Sequence, residues 1–476
     1  MGEAKKDKML GVIVWPTHIE YEGADAVLDN LVEAGVTTVA TAPIVVEPTD
    51  DPSEGRREPP DDGGDGLNRV VDRPVWGKHS LYLKTSPSYE PDPDIYAGGK
   101  YGPPKTDELT SRLGKTIGEF LKKATSRGLR AYLQLQVCHI PGMDSDSSVT
   151  PESNDDLPLL PNGEIPRKRM VHFASIASDD IRSYFRSMIK DILRVYPDVN
   201  GLLLDRAEQS FYTLGDAFLD FGPWAKKKAG EYGFDFESMK NAADRTYRRL
   251  GSLSNDDLLR LQTPSDLIYK TAGLFRKEPA LAELLRFRAA VAASYLRELK
   301  DASLSVSQEK EIVPITFPPP MSLITGIDFE QYAGIADAVM IKFFTMHWPL
   351  IVTNWARELK SINPALDEGL LVRALSLVFD MEDADFGSSI GDYAYPNPDQ
   401  AHRAGTRAQE RKIQTTNADT KQKIPVFPSV HGYGPLEDVA RRFKIAWETG
   451  TSGMWINRYG YLSDEKLAML KKLVRK

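Results

Sequence analysis

The sequence predicts an α/β fold, a single closed (β/α)8 barrel, and three observations lead there. Short apolar runs alternate with helical patterns until eight such units are counted along 476 residues. The runs are almost continuously apolar, as in parallel strands covered on both faces by helices. Links from helix to strand are short (AGVT, RGLR, YPDVN, GTSG), whereas several links from strand to helix are long. In a TIM barrel the strand-to-helix links all leave the C-terminal face, where such enzymes build their sites.

The elements follow in order. GVIVW (11–15) is too short and apolar for a surface helix and forms the first strand; ADAVLDNLVEAG then has apolar residues at helical spacing and stops at Gly35. TTVATA is the second strand. A helix at 106–128 leads into AYLQLQV, and one at 179–195 leads into GLLL, the fourth strand, which ends at Asp205. After a helix-rich stretch come a helix at 281–303, strand EIVPITF, a short helix at 328–333 and strand DAVMIKFF. A helix at 349–361, strand IPVFPSV, a helix at 435–448, strand GMWIN and a helix at 463–474 complete the set.

Residues 1–476 thus read as one barrel domain, with long C-terminal-face loops at about 43–105, 137–178 and 206–280; most connections in compact domains have about 4 to 6 residues. Within them, about 236–280 reads as a helical insertion after the fourth strand, a lid or cap. The Pro- and Gly-rich acidic segment at about 47–66 reads as a mobile loop without chemistry. Residues 379–423 are polar and show no core pattern.

Composition narrows the function. With 41% hydrophobic and 27% charged residues the chain is an ordinary globular one, and 60 Lys+Arg against 68 Asp+Glu give a net charge of -8. There is no basic excess for nucleic acid or an anionic bilayer, and no apolar run approaches the ~20 residues that span one, so neither nucleic acid nor membrane is expected as a partner. The start turns into GVIVW without an export pattern; the chain as given reads as cytoplasmic, and an exported protein with its signal trimmed would read the same. The single cysteine, Cys138, excludes an intrachain disulfide and multi-cysteine metal sites. No Walker A loop, no GxGxxG after a strand and no HxH or HExxH spacing occurs, so no cofactor and no metal is expected.

Side chains at and just beyond strand ends point into a barrel's mouth. Here they are Trp15, Thr17 and His18 after the first strand, His139 after the third, Asp205, Arg206 and Glu208 after the fourth, Lys342 and His347 around the sixth, His431 and Tyr433 after the seventh, and Asn457 and Arg458 after the eighth. His172 lies in the third loop. In NGLLLDRAEQ a strand ends in one carboxylate and a second follows three residues later; a helical turn after Asp205 would set their Cβ atoms about 5 to 6 Å apart. Paired carboxylates suit glycoside hydrolysis, one as nucleophile or base and the other as acid. Five of the seven histidines fall in strand-to-helix links, and Trp15, Trp76, Tyr82, Tyr89, Tyr96, Tyr101, Phe211, Tyr212, Phe344, Trp348 and Tyr433 are candidate rim aromatics for stacking on sugar C–H faces. Lys342 in VMIKFF could hold Asp205 ionised or, desolvated, form a Schiff base.

The stretch LPNGEIPRKRMVHFASIASDDIRSYFRSMIKDILRVYPDVNGLLLD resembles bacterial glycoside-hydrolase-like barrels, in which an aromatic-rich R-x-Y/F helix and a Y-P-x-V-x-G turn feed a fourth strand ending in a carboxylate. The resemblance implies hydrolysis of a glycosidic bond in a carbohydrate substrate, with Asp205 and Glu208 as catalytic residues. VFPSVHGYG and ITFPPP carry no carboxylate where such barrels often place one, after the seventh or fifth strand, which leaves Glu208, a rim histidine or a loop residue such as Asp392 as the partner of Asp205. The competing expectations are an aldolase or lyase using Lys342, a metal-dependent sugar isomerase using the histidines, and a carbohydrate-binding barrel without turnover.

Overall fold

The structure, a computed structural model, describes residues 8–51, 56–58, 81–142, 154–166 and 173–475. Eight parallel strands close a barrel, in order Met9–Ile13, Thr38–Thr41, Arg130–Gln136, Gly201–Asp205, Glu311–Thr316, Val339–Phe343, Val426–His431 and Gly453–Asn457. Each pairs with its neighbour in sequence, and the eighth closes on the first with Met9 opposite Gly453 and Ile13 opposite Asn457. All eight are the strands expected from the apolar runs.

Every strand contributes to a cluster that fills the barrel, through Ile13, Ala40, Tyr132, Leu203, Ile315, Met340, Phe427 and Trp455. Side chains alternate along a strand, so residues two positions beyond these face the same way and open on the mouth: Trp15, Asp205, Phe317, Lys342 and Asn457 stand at such positions. Trp455 fits because residue 11 is glycine, since a Cβ there would lie 2.4 Å from the indole. The larger core lies outside the barrel, between strands and helices such as Asp179–Val195 and Ala280–Leu304.

Two regions are more ordered than their composition suggested. Part of the acidic segment at 47–66 is not loop: Ile44–Thr49 pairs antiparallel with Leu81–Pro87, which also pairs with Arg56–Glu58. The β-branched run Ile44, Val45, Val46 starts this sheet, and Val46 and Leu83 anchor it on Tyr433 and Tyr461 at the mouth. Residues 52–55 and 59–66 of that segment lie outside the described residues. The polar stretch 379–423 contains the helix Thr406–Asp419, held through buried Ala408, Gln409, Lys412, Ile413 and Thr416, a mostly polar stripe that hydrophobic periodicity does not register. The helix Glu368–Val378 before it is capped by Asp367, which accepts from Leu370 N at 2.9 Å.

After the fourth strand the helices Pro223–Tyr232, Phe236–Leu250, Asn255–Leu259 and Pro264–Lys277 precede the long helix Ala280–Leu304. The insertion expected at 236–280 is therefore helical and is preceded by a further helix. Among the described residues no helix is long and apolar enough to cross a membrane.

Replacing Gly11 by alanine is expected to push the Trp455 ring off its site and destabilise the barrel by about 1–3 kcal/mol, the usual cost of overpacking. Chemical denaturation of Gly11→Ala beside the parent chain measures this; an unchanged midpoint would mean that the barrel interior is looser than described.

Candidate active site

At the C-terminal end of the barrel one ammonium group organises two carboxylates. Lys342, in the last turn of the pleat on the sixth strand, lies 3.0 Å from Asp205 Oδ1 and 2.8 Å from Glu208 Oε1. Glu208 has its other oxygen filled as well: Oε2 accepts from the Phe317 N–H at 3.1 Å and from the Thr325 hydroxyl at 3.0 Å. Asp205 is the more open of the two, its side chain 12% exposed against 2% for Glu208. The Arg206 guanidinium stands 3.9 Å from Asp205 Oδ2 and over the Phe173 ring, 4.8 Å from its centroid.

The chain does not turn helically after Asp205. Arg206 has φ of 68°, a left-handed conformation uncommon for a residue with a Cβ, and this sharp reversal drops Glu208 beneath Lys342. The two carboxylates therefore share a cation, and the ammonium occupies the gap that a sugar flanked by an acid and a base would need. Burial raises the Glu208 carboxyl above the usual range, while Lys342 and the Phe317 and Thr325 donors pull it back. Burial would by itself lower the Lys342 ammonium, but Asp205 and Glu208 together carry it above the ordinary lysine value, so it is protonated at neutral pH.

Beyond Lys342 the mouth is walled by rings in sequence of contact. Lys342 Nζ lies 4.7 Å from the Phe317 centroid, Phe317 packs edge-on to Tyr212 at 5.5 Å, and the Tyr212 hydroxyl lies 3.0 Å from His347 Nδ1. Phe344 stands between His347 at 5.8 Å and His431 at 5.7 Å, and His431 packs on Tyr461 at 4.6 Å. Tyr395 and Tyr433 close the wall at 5.9 Å from each other. Arg442, fully buried, holds this corner by donating to the carbonyls of His431 at 2.7 Å and Tyr433 at 2.6 Å, with Asp438 as its counter-charge.

The two rim imidazoles differ in what they can do. His431 Nδ1 accepts from the Tyr433 N–H at 3.1 Å, which fixes its proton on Nε2 and opposes protonation of Nδ1. His347 faces a hydroxyl, which can turn from donor to acceptor, so both its neutral and its protonated forms are satisfied. His139 is drawn down to about 4, by burial first and then by Arg206, and is neutral at pH 7.

Other predicted residues lie elsewhere. His18 is fully buried behind the rim, its Nδ1 3.5 Å from Glu22 and its ring 5.6 Å from Tyr459. Thr17 is buried beside it, and Trp15 carries the Arg458 guanidinium 4.9 Å from its ring. Asn457 is half-buried at the end of the eighth strand. Asp392 accepts from the Ser388 and Ser389 N–H groups at 2.8 and 2.9 Å, and so caps the turn Ile390–Tyr393. Tyr89, Tyr96 and Tyr101 are not on the rim: they pack on Tyr184 and Tyr196 along the outer helix Asp179–Val195. Trp348 is buried against Phe343. His172 and Trp76 lie outside the described residues.

Phe317, Tyr395, Tyr461 and Thr325 join the site without having been picked out from the sequence. Phe317 was open to discovery, because it continues the inward period of Val313 and Ile315. Tyr461 lies four residues past the eighth strand. Tyr395 sits in the polar stretch, and its sequence surroundings carry no signal.

Lys342→Met removes the shared cation and leaves two buried carboxylates face to face, and we expect a loss of about 3–5 kcal/mol near neutrality. Glu208 already has a raised pKa, so a form with a still higher one is most stable in acid and loses stability as pH rises through that value. Urea midpoints of Lys342→Met should therefore approach those of the parent as pH falls; a gap that does not narrow would contradict the shared-cation arrangement. For His139 the sign is opposite. Its folded pKa of about 4 lies below the ordinary 6.5, so the parent chain should lose up to about 3 kcal/mol as pH falls across that window, and His139→Gln should flatten the slope.

No family model matches the chain, and no curated protein matches it. Solved structures do. The catalytic domain of a β-amylase from Paenibacillus polymyxa superposes with a TM-score of 0.51 at 10% identity, covering 99% of this chain and 98% of that one. A β-galactosidase from the psychrophilic Marinomonas ef1 gives a TM-score of 0.50 at 11% identity over 98% of this chain, and one from the haloarchaeon Halorubrum lacusprofundi the same over the same share. The chain spans 59% and 57% of those two galactosidase chains. At such identity the likeness is one of fold, a closed (β/α)8 barrel.

Proposed function

We propose that this protein hydrolyses a glycosidic bond at the barrel mouth, with Asp205 as the reacting carboxylate. One observation carries the reading: the more open carboxylate of the site stands at the end of the fourth strand, held by Lys342, whose ammonium lies on Phe317 where the run of aromatic rings begins. A carboxylate so placed can act as nucleophile, as base toward water, or as a stabiliser of oxocarbenium charge. Phe344, the half-buried ring of a wall whose tyrosines are buried behind it, offers a face for the apolar side of a sugar ring. The barrels that this chain resembles in fold include a β-amylase and β-galactosidases, which supports a carbohydrate ligand.

In this reading Glu208 is a positioning residue. Both of its oxygens are engaged below Lys342, so it sets the ammonium and thereby the Asp205 carboxylate. The proton for the leaving oxygen comes from His347, whose Nδ1 partner, the Tyr212 hydroxyl, accepts as readily as it donates and so satisfies the ring before and after the transfer. A Schiff base on Lys342 fits poorly, since two carboxylates keep its nitrogen protonated and thus non-nucleophilic. A second reading, a carbohydrate-binding barrel without turnover, is favoured by one feature: the second carboxylate near Asp205 is saturated by its own hydrogen bonds.

A panel of aryl glycosides and oligosaccharides, followed by product release, separates the two. On any substrate turned over, Asp205→Asn should lower kcat by on the order of 10²–10⁴-fold with KM little changed. His347→Asn should slow glycosides with poor leaving groups far more than activated aryl ones. Sugar binding without turnover across the panel would favour the binding reading, and near-parental turnover by Asp205→Asn would overturn the assignment.

A further inference from the structure

The helical insertion after the fourth strand borders a second, half-open cavity that shares no lining residue with the aromatic wall. Its volume is 380 Å³, inside the range of about 300–1,000 Å³ usual for ligand pockets. Leu250, Leu258 and Leu274 of the insertion form one side, and Leu284, Trp355 and Leu371 the other; among the described residues Thr246 and Arg288 are the only lining residues that are not apolar. The space opens to solvent, and apolar walls of this extent left in contact with water favour an occupant that covers them.

Arg288 indicates what kind. It is 4% exposed and makes three hydrogen bonds, all to carbonyls: Ile324 at 3.2 Å, Ala217 at 2.8 Å, and Leu219. A guanidinium has five N–H donors, so two are left, and the Nε–H is buried without an acceptor. Among the described residues no carboxylate lies within ion-pair distance of it. The nearby Asp220 is turned to other donors, the Ser175 hydroxyl and the Leu159 and Gly222 N–H groups. Burial accordingly pulls the guanidinium down to about 10. A buried charge whose counter-charge, Asp220, lies beyond ion-pair distance is costly, and an anion brought to it lowers that cost.

We propose that this cavity binds one fatty-acid anion, its alkyl chain among the leucines and its carboxylate at Arg288. A sugar does not suit these walls, which offer almost no polar partners, and a neutral hydrocarbon leaves the guanidinium as it was. Access lies on the outer side, where the helix Pro264–Lys277 has no buried residue and exposes Ile268 and Tyr269.

Isothermal titration of the intact chain with dodecanoate, dodecanol and acetate, below the micelle threshold, tests the proposal. One dodecanoate per chain should bind and raise Tm, dodecanol should bind at least about tenfold more weakly, and acetate should not bind. Arg288→Met should abolish the preference for dodecanoate over dodecanol. If that variant does not fold, Ala374→Phe, which fills the cavity from a helix on its far side, should weaken dodecanoate at least about tenfold with Tm retained. Absence of dodecanoate binding, binding of several molecules per chain, equal affinity for dodecanol, or unchanged affinity in a folded Ala374→Phe chain would each overturn it.

Discussion

The mouth of this barrel depends on one buried ammonium group. Lys342 reaches it from the sixth strand and finds a carboxylate on either side, each within 3.0 Å. Taking an ammonium out of water costs several kcal/mol, and the attraction offsets this only when partners are close and their remaining lone pairs are satisfied. The structure meets that condition unevenly. Glu208 is tied at both oxygens and lies in the floor, whereas Asp205 keeps one edge toward the opening, with Arg206 at its side. Two acidic residues three apart in sequence thus take different parts, one fixing the cation and the other presented to whatever enters.

That division follows from the turn at Arg206. A helical continuation would have aligned the carboxylates on one face; the left-handed residue instead folds the chain back under the sixth strand, where Thr325 and the Phe317 N–H receive Glu208. Phe317 closes the other side of the lysine and begins the run of rings that ends at Tyr461. Charge is concentrated on the fourth and sixth strands, and the aromatic surface lies beside it. A polar, multi-hydroxyl ligand with an apolar face is suited to both.

Most of the architecture was legible in the sequence, because barrel strands covered on both faces must be short and apolar, and helices packed on them must be amphipathic. GVIVW, AYLQLQV, NGLLLD and VMIKFF announce themselves for that reason, and the period of two carries Asp205 and Lys342 inward. Elements held by polar contacts were not legible. The helix Thr406–Asp419 buries Gln409, Lys412 and Thr416, and the sheet strand Ile44–Thr49 runs straight into acidic loop sequence. The pairing of Lys342 with Asp205 could be anticipated from strand ends alone. The sinking of Glu208 could not, since it depends on a single backbone dihedral. Histidine clustering in the links overstated the site: His347 and His431 stand in the wall, His18 is packed behind it, and only their neighbours in space tell them apart.

The claim at the centre of this account is that a sugar sits between Asp205 and the aromatic wall. The most direct test is a crystal structure of the Asp205→Asn chain soaked with an oligosaccharide found to bind it. The account predicts a pyranose ring within hydrogen-bond distance of residue 205 and against the aromatic wall at Phe344. Saccharide density elsewhere on the molecule, with the mouth around residue 205 holding only solvent, would contradict it.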